Sequence, residues 1–211
     1  MDIIWYGLSC FRMSERGLAT VVTDPYAPGA GMPQLKLKAD IVTVSHDAPG
    51  HNYLKAVKGE RRAINGPGEY ELGGVFITGI TMGGVKKNGS QSNTLYVFDF
   101  EGVTIVHLGD LARVPSQAEI EDLGAVDIAL VPVGGGGALG AADAAEVISL
   151  IEPSIVIPMH YKAGQSELKL APVTRFLSEM GLTHVEPLPV LKITKSALSE
   201  ETQVVVLQPA A

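Results

Sequence analysis

Apolar positions in this chain come in short runs rich in β-branched and aromatic residues, broken by Gly, Pro and Asp, which is the punctuation of strands. Eleven runs read this way: "DIIWYG", "CFRMS", "LATVVTDP", "DIVTVS", "RAINGPGEYEL", "VFITGI", "TLYVFDF", "VTIVHLGD", "DIALVPVG", "SIVIPMH" and "TQVVVLQP". Only Glu101 and Gly102 separate "TLYVFDF" from "VTIVHL", and such a link predicts an antiparallel hairpin. Helical periodicity marks residues 116–123, 141–151 and 170–180. Ser116 with Glu119 three positions on predicts a capping box. In the second helix Ala145, Ile148, Leu150 and Ile151 are expected to form the apolar face, Asp143 and Glu146 suit the positive N-terminal end, and Pro153 ends it. The third is expected to stop at Gly181. The order strand, helix, strand from "VDIALVPVG" to "SIVIPMHY" predicts a parallel crossover, and the two groups of strands predict two packed sheets. The polar stretch "TMGGVKKNGSQSN" reads as a surface loop or hairpin tip.

Length and composition then narrow the picture. A chain of 211 residues, 46% hydrophobic, suits one domain spanning 1–211 with a large core. Sixteen basic against 23 acidic residues give a net charge of -7 without a long basic cluster, so no nucleic-acid partner is expected. The start "MDIIWYGLSCF" lacks a signal peptide's basic end and apolar core, and no run reaches the roughly 18 apolar residues of a membrane span. The expectation is a cytoplasmic protein with no membrane partner. Solitary Cys10 excludes an internal disulfide and, inside an early strand, reads as a small buried apolar residue rather than a nucleophile. A small-molecule ligand or substrate and a homo-oligomer fit this composition, but nothing in it identifies the ligand.

Candidate chemistry stands just beyond the strands. His46 and His51 follow "DIVTVS", Asp110 follows "VTIVHLG", and His160 follows "SIVIPM". Zn²⁺ takes imidazole nitrogen and carboxylate oxygen, and catalytic sites use three protein ligands with one position open. The same donors suit Mn²⁺ or Fe²⁺, so the element stays open. Each histidine alone reads as an ordinary hydrogen-bonded residue; their joint placement at strand ends is what points to a metal. Asp24, in an Asp-Pro turn, reads equally as a turn cap or as the group that orients a ligand imidazole. His107, within its strand, reads as structural, and His184 as exposed and without a partner. Gly134 to Gly137 precede a helix, but without a nearby Lys or Arg they read as a flexible turn rather than a phosphate cradle.

In their order, "WYGLSCFRM", "VVTDPY", "TVSHDAPGHN", "NTLYVFDFEGVTIVHLGDL" and "PVGGG…IEPSIVIPMHYK" resemble the metallo-β-lactamase superfamily, specifically the small metal-dependent hydrolases related to the ascorbate-6-phosphate lactonase group. The similarity runs over about residues 1–165. It implies an α/β (α+β) fold, a four-layer αββα sandwich of two central mixed sheets flanked by helices, with the site at one sheet edge. It also implies a His-x-His-x-Asp-His motif serving two metals, and here those positions read His46, Ala48, Gly50 and His51. A further family histidine falls near Gly84. The first metal thus keeps His46 alone, while the second keeps His51, Asp110 and His160. Leu8 stands where the family has His, Ala112 and Arg113 where it tends to have Gly-His, and "GGGGALG" where a turn carries Tyr, Thr and an acid. Losing direct ligands should exceed the roughly 10- to 100-fold effect of changes behind them. The expectation is therefore a depleted centre, catalytically impaired or inactive, with a binding or structural role, and no catalytic residue is assigned. The alternative is an active single-metal (Zn²⁺ or Mn²⁺) hydrolase using His51, Asp110 and His160, with His46 swinging in as a fourth donor. Zn²⁺, Mn²⁺ or Fe²⁺ at one weak site, or no ion at all, completes the set of expectations.

Overall fold

The apolar runs form strands whose alternation sorts them into two facing sheets. The computed structural model describes residues 1–59, 61–84, 91–164 and 168–210. In chain order the strands are β1 (Asp2–Gly7), β2 (Cys10–Ser14), β3 (Val21–Thr23), β4 (Leu37–Lys38), β5 (Ile41–Thr43), β6 (Val57–Lys58), β7 (Arg62–Ile64), β8 (Gly68–Leu72), β9 (Val75–Gly84), β10 (Gln91–Phe100), β11 (Val103–His107), β12 (Ile128–Pro132), β13 (Ile155–Met159), β14 (Leu191–Lys192) and β15 (Gln203–Val204). The helices are α1 (Gln117–Glu121), α2 (Ala141–Ile151) and α3 (Val173–Glu179). One sheet runs in the order β14, β1, β2, β3, β5, β7 and the other β15, β13, β12, β11, β10, β9, β8, with β4 beside β6 as a separate pair. Both large sheets are mixed. β1 to β3 and β8 to β11 pair antiparallel, whereas β3, β5 and β7, and β11, β12, β13 and β15, run parallel.

The period of two places Ile3, Trp5, Phe11, Met13, Val21 and Ile41 on the inner face of the first sheet, against Ile77, Phe98 and Ile105 from the second. The opposite face of the first sheet carries Cys10, Val22 and Val42. These pack on Leu35, Leu37, Ala39, Ala56 and Val57, so its outer cover is the β4 and β6 pair with a short helical turn at Leu54–Ala56. α1, α2 and α3 instead deliver Ile120, Ala144, Val147, Ile148, Phe176 and Leu177 to the main core. The expected α/β sandwich of mixed sheets is present, although among the described residues no α-helix precedes β11.

The local signals hold where geometry is local. Glu101 (φ 52°) and Gly102 (φ 89°) are both left-handed and close the β10–β11 hairpin. Ser116 and Glu119 form the reciprocal capping box of α1, and β12, α2 and β13 form the parallel crossover. Cys10 is buried.

Three expectations change. "RAINGPGEYEL" is two strands in different sheets, because Gly66-Pro67 interrupts the ladder and the chain crosses from β7 to β8. The face of α2 is Ala144, Val147 and Ile148, with Leu150 and Ile151 partly buried against the same core, so of the expected Ala145, Ile148, Leu150 and Ile151 only Ala145 gives way, to Ala144 and Val147. Residues 170–172 stay out of α3, since the Ala171 N–H donates to the Gly134 carbonyl and the Ala171 carbonyl accepts from Lys162, drawing Leu170 into the outer cluster.

Candidate metal centre

Parallel strands end at the same edge of a sheet, so loops distant in sequence converge there. β3 and β5 deliver Asp24 and residues 44–51 to that edge, and β11 and β13 deliver Asp110 and His160. Asp24 sits at φ 40°, a left-handed conformation that Asp tolerates better than most residues. From there one carboxylate oxygen accepts the Ser45 N–H at 2.7 Å, and the other accepts the Ser45 hydroxyl at 2.6 Å and His51 Nδ1–H at 2.8 Å. It is therefore both turn cap and orienter of an imidazole. With Nδ1 engaged, His51 presents Nε2 to Asp110, 3.4 Å from Oδ2. His46 presents its own Nε2 to the same oxygen at 3.7 Å, with Ser45 Oγ 3.0 Å from its Nδ1. His160 approaches the other oxygen, Nδ1 to Oδ1, at 3.1 Å.

The fourth donor is held by strain and packing. Leu8 (φ 48°) and His160 (φ 50°) are both left-handed non-glycine residues, each an expense of order 1–3 kcal/mol that the surroundings must offset. The Leu8 carbonyl accepts the His160 N–H at 3.0 Å and the indole N–H of fully buried Trp5 at 2.9 Å. Gly134 completes this side: a Cβ there would lie 2.2 Å from the His160 carbonyl oxygen. The glycine run is a tight turn whose Gly135 N–H bonds inward to Leu139 O.

The donors fit one divalent ion. Metal bonds of 2.0–2.2 Å in tetrahedral geometry separate donor atoms by about 3.4 Å, and the two imidazole nitrogens stand 3.4 and 3.7 Å from Asp110 Oδ2. His46, His51 and Asp110 each offer an atom within 4.8 Å of the others. Asp110 Oδ1 is buried without a hydrogen-bond partner among the described residues, the state of a carboxylate arranged for a cation. This grouping differs from the expected one: His46 belongs to the tight trio, and His160 flanks it. Among the described residues, the positions expected to serve a second ion bring little to it. Ala48 and Gly50 offer no side-chain donor, and a Cβ on Gly50 would find only Leu8 Cδ1, 3.8 Å away. Gly84 ends β9 and likewise brings none.

The electrostatics match a cation site. Burial alone would push the His51 pKa down, but the Asp110 and Asp24 carboxylates hold it up at about 10, so a proton serves as the cation. Burial would raise Asp110, yet His51, His160 and His46 hold its carboxyl well below the ordinary range. Burial pushes the His160 pKa down, against the upward pull of Asp110. His107 is structural as expected: Nε2–H donates to the Ser9 carbonyl at 2.9 Å, Nδ1 accepts the Gly109 N–H, and burial lowers its pKa. His184 is exposed but not alone, lying 3.2 Å from Glu186. Sequence reasoning missed Ser45 and Asn93. Asn93 falls in the stretch read as a surface loop or hairpin tip, whose residues 81–84 and 91–93 belong to the paired strands β9 and β10 and whose residues 85–90 lie outside the described residues; Asn93 is 2% exposed, with its amide on the Asp110 turn.

Two facing mixed sheets with a histidine and carboxylate cluster at the carboxyl edge define a metallo-β-lactamase-type protein. A family model for the β-lactamase superfamily domain matches residues 2–160, and this chain belongs to that superfamily. A metallo-β-lactamase superfamily protein from Thermotoga maritima, named for zinc-dependent hydrolysis, is 37% identical in sequence. The match covers 98% of this chain and 97% of that one with a TM-score of 0.79. A UPF0173 metal-dependent hydrolase of Methanoculleus marisnigri is 29% identical over 190 residues, 76% of this chain and 81% of its own. Igni18, a metallo hydrolase from Ignicoccus hospitalis, shares the fold at 20% identity and a TM-score of 0.66. Among the described residues no helix is long and apolar enough to cross a membrane.

Proposed function

We propose that this chain is a single-metal hydrolase in which His46, His51 and Asp110 hold one divalent ion, Zn²⁺ or Mn²⁺, with His160 beside them. The observation that carries this reading is the Asp110 carboxylate, ringed by three imidazoles, with one buried oxygen lacking a hydrogen bond. An ion held there supplies Lewis acidity and lowers the pKa of a water to near 7. The chain does the rest. Asp24 fixes the His51 tautomer so that Nε2 faces the site, and Ser45 ties Asp24 to His46. His160 sets Nδ1 3.1 Å from Asp110 Oδ1, beside the trio that would hold the ion. Small Ala48 and Gly50 with apolar Leu8 leave the vacated neighbouring position uncharged, which suits a neutral small-molecule substrate. The names of the relatives, metal-dependent and zinc-dependent hydrolases, support this reading.

One observation favours the second reading, an impaired protein with a binding role: two direct ligands of the family motif are Ala48 and Gly50. The test is metal content after purification with Zn²⁺ or Mn²⁺, followed by a panel of lactones, esters and phosphodiesters. Near-stoichiometric metal with turnover that a His51→Ala variant abolishes supports the hydrolase. Metal without turnover supports the binding role, and no uptake at millimolar Zn²⁺ with an unchanged Tm overturns the metal site, because a native-state ligand must raise stability.

A further inference from the structure

The carboxylate at position 110 follows a glycine turn closed by the Leu111 N–H on the Leu108 carbonyl at 3.1 Å and braced from a second strand. Gly109 is left-handed (φ 55°) and sits so close to β10 that a Cβ there would lie 2.4 Å from Asn93 Oδ1 and 2.7 Å from Ser45 Cβ. Asn93 reaches this turn from 17 residues away. Its Nδ2–H donates to the Leu108 carbonyl at 3.0 Å, and its Oδ1 accepts the Asp110 N–H at 3.0 Å. The next residue, Thr94, donates its backbone N–H to the Ser45 carbonyl at 2.8 Å. Two consecutive residues of β10 therefore hold the two loops that carry Asp110 and His46, one from each sheet. Among side chains that fit here, a carboxylate cannot donate to Leu108, and an apolar chain can do neither; a primary amide does both.

We infer that Asn93 is a positioning residue whose amide fixes the Asp110 carboxylate at the spacing from His46 and His51 that one divalent ion requires. The inference rests on the metal reading above. Its reach is large because the amide is buried: without it, the Asp110 N–H loses its partner where water does not replace it, and the Leu108 carbonyl keeps only the Leu111 N–H. The turn then relaxes, and Asp110 moves relative to two imidazoles fixed by Asp24 and Ser45.

The experiment compares wild type with Asn93→Leu, which keeps volume, and Asn93→Ala, which remains usable if the leucine variant does not fold. Val97→Ala thins the same strand at a half-buried position and serves as the stability control. Two quantities are read: Zn²⁺ affinity by chelator competition, and hydrogen exchange at the Asp110 amide in metal-free protein. The expected result is a loss of about 10- to 100-fold in Zn²⁺ affinity in both Asn93 variants, faster exchange at Asp110, and wild-type affinity in Val97→Ala. Equal affinity in wild type and the Asn93 variants overturns the inference, as does a parallel loss in Val97→Ala. If wild type takes up no Zn²⁺, the metal reading falls, and exchange alone decides: unchanged protection at Asp110 in the Asn93 variants overturns the clamp.

Discussion

Asp24→Asn is the most discriminating single change. Asn tolerates the left-handed backbone at φ 40° as Asp does, so the substitution isolates the carboxylate, which Asp24→Ala would not. Three donors converge on that carboxylate, the Ser45 N–H, the Ser45 hydroxyl and His51 Nδ1–H, at 2.6 to 2.8 Å. The amide nitrogen of Asn must point at one of them, setting donor against donor in a buried place. Removing one partner of a buried, hydrogen-bonded ion pair costs about 3–5 kcal/mol. For a chain of this size that corresponds to a fall in Tm of roughly 6–20 °C, at about 2–4 °C per kcal/mol. The pH dependence follows from both partners. Asp24 is held below its ordinary 3.8, so its contribution is present above that value and lost as pH falls through the folded value. His51 is raised from 6.5 to about 10, so its contribution is full below 6.5 and is lost as pH rises towards 10. The gap between wild type and variant is therefore widest between about pH 4 and 6.5 and narrows on either side. Urea unfolding of the metal-free proteins across pH 3 to 10 measures it. A variant as stable as wild type at pH 5.5, or a gap that widens towards pH 10, would refute the reasoning.

Three further outcomes are expected. Gly50→Asp restores a carboxylate where the backbone is unstrained and the nearest contact is 3.8 Å away, and should raise Zn²⁺ affinity by roughly tenfold or more in chelator competition. Gly109→Ala forces a Cβ into Asn93 and Ser45 at a left-handed position, and should destabilise by about 2 kcal/mol or more in urea unfolding while weakening Zn²⁺ uptake. Arg113 and the Ser116 cap hold Glu119 down from 4.5 to about 2, so they support α1 fully above pH 4.5 and progressively less as pH falls towards 2. Glu119→Gln should remove that dependence from the acid limb of the wild-type Tm profile, and an unchanged limb would count against it.

Local rules explain what the sequence made legible here. The Glu101-Gly102 hairpin, the Ser116 and Glu119 box, the α2 crossover and the apolar runs all follow from φ preferences, side-chain reach of a few residues and periods of 2 or 3.6. The four candidate donors were legible because residues just past parallel strands share an edge whatever the details of packing. What tertiary structure alone decided depends on which surface meets which. The passage of β7 and β8 into different sheets, the choice of α2 face and the non-helical cover of the first sheet are contests between similar local patterns, settled by burial. So are the roles around the site. That Asn93 spans 17 positions to reach Asp110, that Asp24 serves both Ser45 and His51, and that His46 rather than His160 completes the tightest trio all turn on differences of about an ångström between loops set by two sheets packing together, and no single segment encodes that spacing.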